Sequence, residues 1–183
     1  MLGAVRHKGF IPWDDDIDVM MKRGDYDKFI NLMKQDNEIS KYIYAKLPGD
    51  ENYQYPFVKI YDRSTMVKDN FNKRFQKGLW VDVFPLDYIY DDYEKNINLL
   101  NSMNKYQHWI LRLTINSDNT SKIKKIIVRA TQIILNFIGI NYQFYVNKIL
   151  NCTKMKVSNY VSNVTWNRDN SEIYPANWFS NLI

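Results

Sequence analysis

The chain has 183 residues, 45% of them hydrophobic and 15% aromatic with 14 tyrosines, which suits one globular domain with a core and excludes a disordered chain. Its formal net charge of +5 and pI near 9.1 favour anionic partners without choosing among nucleotides, phosphorylated substrates, a membrane surface and nucleic acid. A lone cysteine, Cys152, excludes an internal disulfide framework and a cysteine-built zinc site, and two histidines, His7 and His108, are too few for a histidine-rich one.

The opening "MLGAVRHKGF" has no apolar run after its charges, so it does not read as a secretory leader, and a reducing, cytoplasmic setting is the default. Leu2, Gly3 and Val5 read like the middle of a packed element, and the closing "YPANWFSNLI" is equally apolar, so the chain is expected to be cut at both ends. Residues 1–13 form a Gly- and Pro-punctuated loop carrying Arg6, His7 and Lys8. Residues 16–21 read as a strand. Residues 25–36 read as a helix capped by Asp25, with Phe29, Ile30, Leu32 and Met33 on its apolar face. "YIYAKL" (42–47) and "PFVKIYD" (56–62) are strands split by the turn "PGDEN", and "GLWVDVFPLD" (78–87) is another strand, ended by Pro85.

After about residue 90 the texture changes. Residues 91–115, 121–138 and 142–156 read as helices, and "YVSNVTW" (160–166) as a last short strand. The expected architecture is therefore α/β of the α+β kind: one domain, 1–183, with a catalytic α/β half (1–90) and a mainly helical half (91–183). The most apolar stretch, "KIIVRATQIILNFIGI" (125–140), falls short of the ~20 clean apolar residues of a membrane span. It reads first as a core helix. The sharper alternative is an interfacial helix, with Lys122, Lys124 and Lys125 meeting anionic lipid.

The chemistry concentrates in "PWDDDIDVMM", where Asp14, Asp15, Asp16 and Asp18 are wedged into core-forming sequence. On a strand, Asp16 and Asp18 share one face, while Ile17 and Val19 take the other and can enter the core. Two such carboxylates repel by roughly 2 kcal/mol at an intermediate dielectric, and a divalent cation between them reverses that sign. Oxygen-only donors suit Mg²⁺ or Mn²⁺, with Asp14 as an assisting acid. An EF-hand fits poorly, because the loop's sixth position is Val19 and its twelfth Asp25. A glycosidase pair fits poorly too, since its carboxylates flank a bond from opposite sides. A solvated Asp-rich turn is the bland alternative.

Asp82 stands among apolar residues of "LWVDVFPLD", sharing a face with Trp80 and Phe84, while Leu79, Val81 and Val83 take the other. Burial without a partner would be costly, so it either completes a metal site, acts as a base, or pairs with a lysine or arginine. Arg6, His7 and Lys8 precede the acids; Lys59, followed by Arg63, lies on a strand between the two acidic elements. Metal on one side and Arg or Lys on the other is how proteins hold a pyrophosphate during phosphoryl transfer. Nucleic acid ranks last, since the basic residues form no dense stripe interleaved with aromatics.

"LGAVRHKGFIPWDDDIDV" (2–19) resembles the signature of the LicD-type phosphotransferases, which include bacterial phosphocholine transferases and fukutin-related proteins. "FVKIYDRST" (57–65), "LWVDVFPLD" (79–87) and, more weakly, "YPANWF" (174–179) are similar to further blocks of that family. The resemblance implies a nucleotidyltransferase-like mixed sheet. It implies that Asp16, Asp18 and Asp82 bind Mg²⁺ (or Mn²⁺), with Asp14 beside them. Arg6, His7, Lys8, Lys59 and Arg63 would then meet the substrate. The implied reaction moves a phospho-alcohol group, foremost phosphocholine from CDP-choline, onto a sugar hydroxyl of lipopolysaccharide, teichoic acid or a related glycan. Partners would be a CDP-activated donor and a glycan acceptor, lipid-linked where the work is done at the inner face of the membrane. The family's Gly-Ser/Thr turn precedes the point at which Met1-Leu2-Gly3 begins, so a truncated, inactive remnant stays open as an alternative, as does a nucleotidyltransferase making a CDP- or UDP-activated product.

Overall fold

Short alternating segments pair into one mixed sheet, and longer segments of helical period stack beside it. The computed structural model describes residues 8–9, 17–67, 78–115, 121–153, 157–167 and 172–179. The strands are β1 (Asp18–Lys22), β2 (Ile43–Lys46), β3 (Val58–Asp62), β4 (Trp80–Tyr88), β5 (Tyr160–Ser162) and β6 (Tyr174–Pro175). The α-helices are α1 (Arg23–Gln35), α2 (Tyr93–Thr114), α3 (Lys122–Phe137) and α4 (Tyr142–Cys152), and Ala176–Phe179 add a 3₁₀ turn. The sheet runs β2-β3-β4-β5-β6, and β1 joins β4 in parallel while the other pairings are antiparallel. The α+β expectation is met.

β4 organises the sheet. Its residues alternate between two faces. One face carries Val83, packed with Val58, Ala45, Leu47 and the α1 residue Tyr26 into a buried cluster. The other carries Phe84, whose ring lies 4.4 Å from that of Phe57. A second cluster sits in the helical half, where α2 and α4 bury Met103, Ile110, Val146 and Ile149 against Ile89 and Val164. Asp92 and Asn141 cap these two helices, accepting from Lys95 N and Phe144 N.

Several expectations are corrected. α1 begins at Arg23, directly after β1, so Asp25 lies in its first turn, paired with Lys28, and is not the cap. Leu32 is exposed. Tyr26, Phe29, Ile30 and Met33 fall at the i, i+3, i+4, i+7 spacing that faces the sheet, and Leu32 falls off that stripe. β4 does not stop at Pro85. A proline removes only one donor from a ladder, and Leu86, Asp87 and Tyr88 still find partners in Lys22, Ser162 and Val161. Ile17 and Val19 are 47% and 40% exposed and do not enter the core, because the cluster beneath α1 reaches along β1 only as far as Met21. The largest correction concerns α3, which buries no residue and is not a core helix.

Gly24, Gly49 and Gly139 have open space where a side chain would go, but Gly78 is required by packing. A Cβ there would overlap the Asp62 carbonyl oxygen and lie 2.8 Å from Thr65 Oγ1, closer than van der Waals contact allows. Thr65 Oγ1 in turn accepts from Leu79 N, so β3 and β4 are drawn together at the point where Gly78 enters the sheet.

Candidate active site

Register decides which side chains meet. Residues opposite one another on neighbouring strands project to the same face. Lys46 of β2 lies opposite Lys59 of β3, Lys59 opposite Asp82 of β4, and Asp82 opposite Asp18 of β1. The result is one row of charge across four strands: Lys46, Lys59, Asp82, Asp18. Two residues along, Tyr44, Tyr61 and Trp80 form a parallel aromatic row. The chain folds this way because the opposite face of the same strands carries the Val and Ala residues that α1 covers.

At the centre of the row, Lys59 Nζ approaches Asp82 Oδ1 to 2.6 Å and Oδ2 to 2.8 Å. Both residues are buried, at 4% and 6% exposure. The ammonium also lies 4.5 Å from the ring centres of Tyr55 and Trp80 and 5.4 Å from that of Phe57. Aromatic faces attract a desolvated cation, so the box suits the Lys59 ammonium, and Lys59 in turn makes a buried carboxylate at Asp82 tolerable. Trp80 Nε1 is buried and has no acceptor among the described residues. The pairing alternative weighed for Asp82 is thus realised by Lys59, inside the row that also reaches Asp18.

The row ends in the open. Asp18 is exposed on β1, one strand spacing of about 4.8 Å from Asp82. Two carboxylates at that spacing, offering only oxygen, fit as two ligands of a small divalent cation at about 2.1 Å. No cluster of three or more metal-ligating side chains occurs among the described residues. Asp14, Asp16, Arg6 and His7 lie outside the described residues. Lys8 is exposed with φ 54°, in the left-handed region. Arg63 follows β3, but its guanidinium goes to Glu38 at 2.6 Å and over the Tyr44 ring at 4.5 Å, an exposed engagement apart from Asp82.

Sequence reasoning missed three features. Lys46 carried no signal of its own, and only the pairing with Lys59 brings it into the row. Tyr55 and Trp80 were visible as aromatics but not as the walls of a box. Asp87 was hidden by ending the strand at Pro85. Its carboxylate is fully buried on the α1 side and accepts from Arg23 Nε at 2.6 Å. Burial pushes it up to about 6, and the hydrogen bond and charge of Arg23 offset only part of that rise. Burial lowers the Arg23 guanidinium, yet Asp87 and Asp27 outweigh it and hold the group above its ordinary range. Burial likewise raises the Tyr26 hydroxyl, which donates no proton to solvent chemistry but accepts from Val58 N at 3.0 Å.

A family model described as "LicD/FKTN/FKRP, nucleotidyltransferase domain" matches residues 1–114. A curated protein, the lipopolysaccharide cholinephosphotransferase LicD of Haemophilus influenzae, is 36% identical over 93 residues, covering 48% of this chain and 32% of that protein. The matched segment thus spans about a third of its relative's length. No solved structure matches.

Proposed function

The chain belongs to the LicD family of nucleotidyltransferase-domain proteins, and on that premise we propose that it is a phosphotransferase moving phosphocholine from CDP-choline onto a sugar hydroxyl of a cell-surface glycan, lipopolysaccharide or teichoic acid. The named activity of the Haemophilus relative supports the choice of phosphocholine and lipopolysaccharide. The observation that carries the reading on this chain is the in-register row Lys59–Asp82–Asp18. It presents two carboxylates and one desolvated ammonium on one face, the set that phosphoryl transfer needs.

In this reading Asp18 and Asp82, with Asp16 and Asp14 from the preceding segment, hold Mg²⁺ or Mn²⁺. When bound, that ion neutralises charge on the donor phosphates. Lys59 adds a positive charge that develops no reorganisation cost during reaction, because Asp82 and the aromatic box already fix it. Arg6, His7 and Lys8 meet the donor from the loop before the acids. The acceptor oxygen attacks the choline-bearing phosphorus, the bond to CMP breaks, and the hydroxyl proton leaves to a carboxylate; Asp82 either completes the metal set or serves as that base, not both at once.

The test is CMP release from CDP-choline in the presence of Mg²⁺ and a lipopolysaccharide acceptor. Asp18→Asn is expected to lower turnover by about 10²–10³-fold, the scale of a lost electrostatic contact. Asp18 is exposed, so the variant keeps its fold. Unchanged CMP release in Asp18→Asn would sink the assignment. A second reading, a nucleotidyltransferase forming a CDP- or UDP-activated product, is favoured by the description of the matching family model. It consumes CTP or UTP and releases pyrophosphate, so following which nucleotide disappears separates the two.

A further inference from the structure

α3 is a helix turned inside out relative to the body it sits on. At about 100° per residue, Ile123, Ile126, Ile127, Ile133, Ile134 and Phe137 fall within one arc of about 120°. All six are exposed, from 59% at Ile127 to 91% at Phe137. The residues turned toward the protein are half-buried Lys125, Val128, Gln132 and Leu135, on nearly the opposite side. Gln132 fastens that side by donating to the Arg112 and Leu113 carbonyls at the end of α2. A helix that packed its apolar face inward would show the reverse pattern.

The charge on α3 is of one sign. Lys122, Lys124, Lys125 and Arg129 are its charged residues, and it contains no acid. On the same wheel Lys122 and Arg129 flank one margin of the isoleucine face and Lys124 the other. We propose that α3 lies in the plane of an anionic membrane surface, with the Ile123–Phe137 face in the acyl boundary and the lysines among the lipid phosphates. A protein partner would need an acidic rim around an apolar groove; an anionic bilayer supplies both over any orientation of the helix. At 16 residues, α3 is too short to span, and no described helix is long and apolar enough to cross a membrane. The inference goes beyond the catalytic reading and is independent of it.

The test uses the 183-residue chain carrying Phe137→Trp, with vesicles of pure phosphatidylcholine or of phosphatidylcholine with a quarter phosphatidylglycerol. The emission that Phe137→Trp adds over the five native tryptophans of the parent chain shifts to the blue with the anionic vesicles, more weakly with the neutral ones, and the shift falls with added salt. In that background Ile126→Gln with Ile134→Gln lowers partition by at least about tenfold, and Lys122→Gln with Lys124→Gln lowers it by about tenfold. Both pairs keep the parent Tm, because the residues are exposed. No blue shift with either vesicle overturns the proposal. So does a dimer in sedimentation equilibrium that Ile126→Gln with Ile134→Gln dissolves, which would assign the face to a second copy. Neither readout involves turnover, so this inference and the proposed function fail separately.

Discussion

β4 carries two buried aspartates five residues apart, each within 2.6 Å of a cation, and an odd spacing sends them to opposite faces of the sheet. Asp87 pairs with Arg23 under α1, where the first residue of the helix closes over it. Asp82 pairs with Lys59 on the face that α1 leaves alone, in a row that runs out to exposed Asp18. On the proposed function the same chemistry does two jobs. One pair ties helix to sheet and is sealed. The other is buried at its centre and open at its end, which is the arrangement a substrate can reach. Burial of a charge pair marks neither structure nor function by itself; what lies beside the pair decides.

The largest expected effect comes from cutting the open pair. Lys59→Met removes the ammonium that a buried carboxylate pairs with, so urea unfolding is expected to show a loss of about 3–5 kcal/mol. Lys59→Met with Asp82→Leu recovers most of it, since an apolar pair of similar volume suits the aromatic box. A single variant as stable as the parent would mean that solvent reaches Asp82 freely, and the contrast between the two faces would collapse.

The sealed pair responds to pH. The folded chain holds the Asp87 proton up to about 6, against 3.8 for a free carboxyl, so between those values the native state binds more protons than the unfolded state. Stability therefore falls as pH rises through about 4 to 6, by about 3 kcal/mol at most from this group. Asp87→Asn is expected to flatten that part of the stability profile while Arg23 keeps an acceptor. A slope that persists in Asp87→Asn assigns it to other acids.

Gly78→Ala acts on the β3–β4 pair that carries Lys59 and Asp82. Its Cβ would collide with the Asp62 carbonyl, at the end of the β3–β4 pair that lies past Lys59 and before Asp82. A loss of about 1–3 kcal/mol is expected in thermal melts, with turnover impaired at temperatures where the fold survives. The smallest effect is expected from Arg63→Gln. Its pair with Glu38 has both side chains more than 40% exposed, so stability changes by under about 1 kcal/mol. A large loss of turnover in that variant would return Arg63 to the substrate site.

Much of this contrast was legible beforehand, and its limits have physical causes. Strands and helices announced themselves through periods of 2 and 3.6, and a lone aspartate among Leu, Val and Phe marked Asp82. Alternation also gave the faces of β4 correctly from Leu79 to Phe84. Register was not legible, because pairing is set across strands; Lys59 meeting Asp82, and Lys46 joining the row, follow only from it. Treating Pro85 as a full stop hid Asp87, although one missing donor does not end a strand that has partners on both sides of the gap. For α3, amphipathic periodicity reports that a face exists and not what covers it, so a core helix and a surface helix look alike in sequence.

The two aspartates of β4 allow one direct measurement of the central claim. CMP release from CDP-choline, corrected to the folded fraction at neutral pH, is compared between Asp82→Asn and Asp87→Asn. Loss of about 10²-fold or more in the first, with the second within about twofold of the parent, is the expected result. Equal losses in both, or a loss confined to Asp87→Asn, would contradict the assignment of the reactive face.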